Sequence, residues 1–102
     1  MKHAEADSFW ADWARLTAQE RDLFKAAVPA LNEAFARRGS RPLPDWPARY
    51  RVRPMSGWPG VWELTWSFAG PDGRATFEIV DFDGEPGIKW RRVGRHDIYG
   101  QP

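Results

Sequence analysis

Residues 8–16 carry Phe9, Trp10, Trp13 and Leu16 at helical spacing, with Asp7 or Ser8 in front of them as an N-cap, and this pattern predicts a short first helix. It stops at Thr17-Ala18-Gln19-Glu20, which has the form of a capping box: the Thr17 hydroxyl faces forward and the Glu20 carboxylate faces back toward bare backbone amides. A second helix starts there. Phe24, Ala27, Val28, Leu31 and Phe35 follow at i, i+3, i+4, i+7 and i+11, one apolar stripe that ends near Gly39. Pro29 lies inside the run, where it removes a backbone hydrogen bond and crowds the preceding turn, so a kink or break is expected there within what reads as one long helix.

Helical periodicity ends at the proline-rich connector 40–47, in which Pro42, Pro44 and Pro47 impose extended conformations. Four β-type runs follow, 49–53, 61–68, 74–80 and 88–93, separated by the turn-rich segments 54–60, 70–73 and 83–87. Read by period two, Tyr50, Val52, Trp62, Leu64, Trp66, Phe68, Ala75, Phe77, Ile79, Ile88 and Trp90 share a core-facing side that the helices cover. The alternate side holds Arg49, Arg51, Arg53, Glu63, Thr65, Arg74, Thr76, Glu78, Lys89 and Arg91, so the other face is expected to be polar and rich in arginine. The order of elements predicts an α+β fold: two N-terminal helices packed on a twisted, mainly antiparallel sheet of about four strands. No strand is legible before the helices.

The length of 102 residues leaves room for a single domain, 1–102, and the seven tryptophans supply much of its packing area. There is no cysteine, which removes disulfides, thiolate zinc sites and cysteine nucleophiles together and makes an intracellular, cytoplasmic location the expectation. No apolar stretch is long enough for a membrane span, and the N-terminus lacks the apolar centre of a signal peptide. A formal net charge of +1 decides nothing about nucleic acid; placement of the charge does. Basic residues cluster at Arg49, Arg51 and Arg53 and again at Lys89, Arg91, Arg92 and Arg95, whereas Asp72, Asp81, Asp83 and Glu85 read as turn residues.

Cleaving RNA without a metal needs a base for the 2′-hydroxyl, positive charge for the crowded phosphorane and an acid for the leaving 5′-oxygen. The polar face offers Glu63 as base, Arg74 with Arg51 or Arg53 to hold the phosphate, and His96 or Tyr99 as acid, with Arg49, Lys89 and Arg91 as further phosphate contacts. The alternative is a solvated sheet face carrying cross-strand ion pairs such as Glu63 with Arg74, a His96 that caps a strand end or packs near the core, and a Tyr99 that packs at the chain end. His3 is given no role. Trp62, Trp66 and Trp90 read as core, while Trp46 and Trp58, in proline and glycine loops, are equally well placed for exposure and a partner. There is no P-loop, dinucleotide-binding glycine pattern, paired metal-binding histidine or nucleophile elbow, and no metal or cofactor is implied.

The runs Tyr50-Arg51-Val52-Arg53, Gly57-Trp58-Pro59-Gly60-Val61-Trp62-Glu63-Leu64, Gly73-Arg74-Ala75-Thr76-Phe77 and the segment from Trp90 to Tyr99 together resemble RelE/ParE superfamily toxins, and look most like HigB-like members. The likeness by motif covers about residues 40–102; the helices fit by pattern. It implies a sheet backed by two helices, ribosome-dependent cleavage of mRNA by attack of the 2′-hydroxyl, and neutralisation by a cognate antitoxin protein. On this resemblance Arg74 takes the place of the family's arginine in the second strand of the hairpin, Arg51 and Arg53 its basic strand positions, and His96 with Tyr99 its C-terminal His/Tyr pair. The chain departs from the family's usual strong basicity, carries arginine where lysine is common, and shows no strand before its helices. A ParE-like toxin acting on DNA gyrase, or an inactive protein-binding module, would use the same scaffold.

Overall fold

Thr17 and Glu20 form the reciprocal cap that their spacing predicts: the Glu20 amide donates to Thr17 Oγ1 at 3.1 Å and the Thr17 amide to Glu20 Oε1 at 2.9 Å. The computed structural model describes residues 1–66 and 73–102, with His96 as backbone alone. From this cap helix α2, Ala18–Arg37, runs through Pro29 as one element and stops at Arg38, followed by Gly39 with φ 63. Helix α1, Asp7–Trp13, is shorter than its apolar spacing suggests and its N-cap is Ala6, not Asp7 or Ser8. Ser8 is used differently: its hydroxyl donates to the Arg91 carbonyl at 2.7 Å.

Five strands build the sheet: β1 (His3–Glu5), β2 (Arg53–Pro54), β3 (Trp62–Thr65), β4 (Arg74–Phe82) and β5 (Glu85–Gly94), in the order β1-β5-β4-β3-β2. All neighbours are antiparallel except β1, which lies parallel to β5. The fold is α+β as the pattern predicts, with one strand that the pattern does not show. β1 has three residues and no alternation to read; what makes it a strand is its partner at the far end of the chain, with the Ile88 amide on the Lys2 carbonyl at 3.1 Å and the Ala6 amide on the Trp90 carbonyl at 2.8 Å. Gly87 permits that approach, since a Cβ there would lie 2.3 Å from the Lys2 carbonyl oxygen and 2.6 Å from the Phe82 ring. Gly87→Ala is therefore expected to lower stability by about 1–3 kcal/mol through overpacking, read as a fall in the denaturant midpoint.

The expected strand 49–53 is not formed. Residues Ala48–Tyr50 make a 3-10 turn and Arg51 has φ 48, so the apparent alternation is interrupted by a left-handed residue, and only Arg53–Pro54 pairs with β3. Prolines on both sides explain the brevity: Pro54 cannot donate to a ladder and belongs on an edge, where β2 lies. The β4–β5 hairpin turns at Asp83-Gly84, both with positive φ, as two-residue hairpins of matching twist require. The expected turn 70–73 is mostly outside the described residues, as is the core position expected for Phe68.

The core lies between the helices and one sheet face. Phe9, Phe24, Ala27, Leu31 and Phe35 pack against Leu64, Trp66, Ala75, Phe77, Ile88, Trp90 and Val93. A bulge in β5 sets Phe77 opposite Trp90 and Thr76 opposite Arg92, leaving Arg91 as the extra residue, so that Trp90 and Val93 both face inward although they are three positions apart. Trp46 also reaches the core edge, with its ring centroid 5.8 Å from Phe35, 5.4 Å from Trp62 and 5.7 Å from Phe77. Trp58 and Trp10 are the exposed tryptophans among the described residues; Trp10 thus leaves the apolar stripe predicted for α1.

Candidate functional site

On the sheet face away from the helices, Arg53 of β2, Glu63 of β3 and Thr76 of β4 form one cross-strand row, and Thr65 with Arg74 forms the next. Alternation puts these side chains opposite to Leu64, Ala75 and Phe77, which are in the core. The face is polar as expected, but its centre is covered: Glu63 is 8% exposed, Thr65 7% and Thr76 fully buried, while Arg53 at the edge is exposed. Tertiary structure causes the difference. The chain leaves β5 at Gly94 and makes a second 3-10 turn, His96–Gly100, that folds back across this face. Ile98 anchors the turn at 2% exposure, and Gly94 admits it, since a Cβ there would be 2.9 Å from Ile98 Cγ2.

The turn brings Tyr99 to the two rows, where its phenol lies within electrostatic reach of both Glu63 and Arg74. Burial, then the negative charge of Glu63, raises the phenol above its ordinary value while Arg74 pulls it down, so Tyr99 is protonated at neutral pH. Arg53 Nε donates to Glu63 Oε1, and that carboxylate holds the Arg53 guanidinium above its usual value. The arrangement gathers a carboxylate acceptor, two guanidinium groups and a phenol donor into one cluster, in which Arg53 is hydrogen-bonded to Glu63. Chemically it can accept a proton at Glu63, offset developing negative charge at Arg74 and Arg53, and supply a proton from Tyr99.

The remaining sequence candidates fall elsewhere. Arg91 and Lys89 share the face, but Arg91 Nη1 is bonded to Glu78 Oε2 at 2.9 Å and its Nε to the Pro102 carbonyl at 3.1 Å, beyond Thr76 along β4. Arg49 and Arg51 are exposed on the segment before β2, off the sheet, with the Arg49 guanidinium 5.1 Å above the Tyr50 ring. His96 lies in the covering turn, and its side chain is outside the described residues.

Two features of the site escape a reading by residue type. Thr76 Oγ1, in the Glu63 row, is buried and has no hydrogen-bond partner among the described residues. Asp12 of α1 is 4% exposed, and its carboxylate accepts from Arg92 Nε at 2.6 Å, Arg92 Nη2 at 3.0 Å, the Val93 amide at 3.1 Å and Arg15 Nη2 at 2.5 Å. Its place three residues after Phe9 on the inward side of the helix is the signal that was available. Burial alone would raise its pKa; the bonds from Arg92, Val93 and Arg15 outweigh burial and hold the carboxyl below its ordinary value. Because the folded-state value is the lower one, the stabilisation is present above the unfolded-state value of about 3.9 and is lost as pH falls through the folded-state value. Asp12→Asn is expected to be less stable at neutral pH and to lose less on acidification, which thermal melts from neutral pH to about pH 3 measure. Parallel curves for the two proteins would remove Asp12 from the acid response.

Among the described residues no group of three or more His, Asp or Glu side chains converges as a metal site, and no helix is long and apolar enough to cross a membrane. No protein-family model and no curated protein matches the chain. Among solved structures it is similar to a chain in the crystal structure of the RelB–RelE antitoxin–toxin complex from Methanococcus jannaschii, with a TM-score of 0.62 at 16% sequence identity, over 97% of this chain and 99% of that one. The fold is RelE-like.

Proposed function

We propose that this chain is the toxin of a type II toxin–antitoxin pair and that it inhibits translation by cutting mRNA on the ribosome, without a metal, through the cluster around Tyr99. The observation that carries the reading is the placement of the Tyr99 phenol beside Glu63 and Arg74 on a RelE-like sheet, with Arg53 hydrogen-bonded to the same Glu63 carboxylate. The similarity of the motifs in residues 40–102 to HigB-like members supports the same reading, and the RelB–RelE neighbour, itself an antitoxin–toxin complex, supports a protein antitoxin as partner.

In the proposed reaction Glu63 takes the proton of the 2′-hydroxyl, the 2′-oxygen bonds to the adjacent phosphorus, and the bond from phosphorus to the 5′-oxygen breaks as Tyr99 delivers its proton to that oxygen. The products are a 2′,3′-cyclic phosphate and a 5′-hydroxyl. Arg74 and Arg53 offset the charge of the phosphorane. Afterwards Glu63 gives up its proton to solvent and the Tyr99 phenolate takes one from solvent, which restores the cluster. His96 is the second candidate acid, and Arg49, Arg51, Lys89 and Arg91 are proposed as outer phosphate contacts for an mRNA held by the ribosome.

The test is inducible expression in a bacterial host with growth recorded and mRNA ends mapped. Growth arrest with cuts in translated mRNA is expected, and Tyr99→Phe, which keeps the ring and removes the proton, is expected to slow cleavage by about 10²–10⁴-fold. Arrest with intact mRNA would replace this reading with a gyrase-directed, ParE-like one. Absence of arrest at full expression would leave a protein-binding module on the same fold.

A further inference from the structure

We infer that Asp12 and Arg92 form a positioning clamp that ties helix α1 to the C-terminal segment carrying Tyr99. β1 ends at Glu5, and from there α1 takes over the exposed edge of β5 with side chains: Ser8 donates to the Arg91 carbonyl at 2.7 Å and Asp12 accepts the Val93 amide at 3.1 Å. The Asp12 carboxylate then holds Arg92 by two bonds, Nε at 2.6 Å and Nη2 at 3.0 Å. The third nitrogen of the guanidinium, Nη1, donates to the Gln101 carbonyl at 2.9 Å, two residues beyond Tyr99. Guanidinium planarity fixes the angle between these bonds, so an Arg92 locked by Asp12 presents Nη1 in one direction only. The bulge places Arg92 at this junction by pairing it with Thr76, in the same row as Glu63.

The consequence for Tyr99 is geometric. Its turn is held on one side by buried Ile98 against Gly94 and on the other by Arg92 on Gln101 and Arg91 on Pro102. Releasing Arg92 frees the segment that keeps the phenol against Glu63 and Arg74. The clamp itself is a property of the folded chain; its value to cleavage rests on the ribonuclease reading proposed above.

The clamp is tested by titrating Tyr99 through phenolate absorbance in a Tyr50→Phe background, since the chain has two tyrosines. Asp12→Asn and Arg92→Met are each expected to bring the Tyr99 titration down toward the ordinary value of 10.0 as the phenol leaves its buried place. Arg15→Met, which removes a different donor from the same carboxylate and leaves the bonds of Arg92 to Asp12 and Gln101 in place, is expected to leave it unchanged. Far-ultraviolet circular dichroism identifies the folded variants, and Arg92→Met decides the matter if Asp12→Asn does not fold. An unmoved titration in folded Arg92→Met overturns the clamp. Cleavage by the unmodified chain on ribosomes is measured alongside: if the titration moves and no cleavage occurs, the clamp stands and the ribonuclease reading falls. With cleavage present, the clamp variants are expected to lose about 100-fold in kcat with KM unchanged, as misplacement of a reacting group does.

Discussion

Arg74→Ala is expected to reduce mRNA cleavage by about 10²–10³-fold and to relieve growth arrest at matched expression, with the fold intact. Arg74 begins β4 opposite Thr65, is partly exposed, and its Nη1 bonds the Gly73 carbonyl at 3.2 Å, so truncation opens no core cavity. Two losses combine. The phosphorane loses a guanidinium, and Tyr99 loses the neighbour that pulls its pKa down against burial and Glu63, which makes the phenol a weaker acid. Arg74→Lys keeps the charge but not the planar fork, and should recover part of the activity only. Undiminished cleavage by a folded Arg74→Ala protein would take Arg74 out of the reaction.

The largest expected effect on stability is that of Phe77→Ala, at about 3–5 kcal/mol. Phe77 is fully buried at the centre of the sheet, its ring stacked with Trp62 at 6.4 Å and meeting Trp90 edge-on at 5.4 Å and Trp46 at 5.7 Å. Domains of this size are stable by about 5–15 kcal/mol, so the loss takes a large share of the total. Urea unfolding is the measurement, and an unchanged midpoint would mean that the aromatic layer closes over the gap. Loss of Phe77 should also cost activity, because Thr76, beside it in β4, and its row neighbour Glu63 depend on the same strand register.

What could be read from the sequence is what is local. The capping box at Thr17 and Glu20 and the stripe from Phe24 to Phe35 involve residues within a turn or two of each other, and α2 follows them through Pro29. The alternation in 61–66 and 74–80 separates core from polar face in the same way. β1 could not be read, since three residues become a strand only through pairing with Ile88 to Trp90. Arg49 to Arg53 alternate on paper, but a left-handed Arg51 between two prolines breaks the strand. Glu63, Arg74 and Tyr99 were candidates by residue type; that the C-terminal turn would cover their face and join them is a long-range outcome that no periodicity encodes. Asp12 occupies an inward position legible from Phe9, yet its partner Arg92 lies far along the chain and is placed by a bulge.

The most direct measurement is incubation of the purified chain with mRNA, with and without translating ribosomes, followed by analysis of the new ends. The expected cuts require the ribosome, survive chelation of divalent metal once the ribosome complex has been assembled and stabilised, and leave 2′,3′-cyclic phosphate and 5′-hydroxyl termini. Intact mRNA on ribosomes in the presence of folded, growth-arresting protein would contradict the ribonuclease reading.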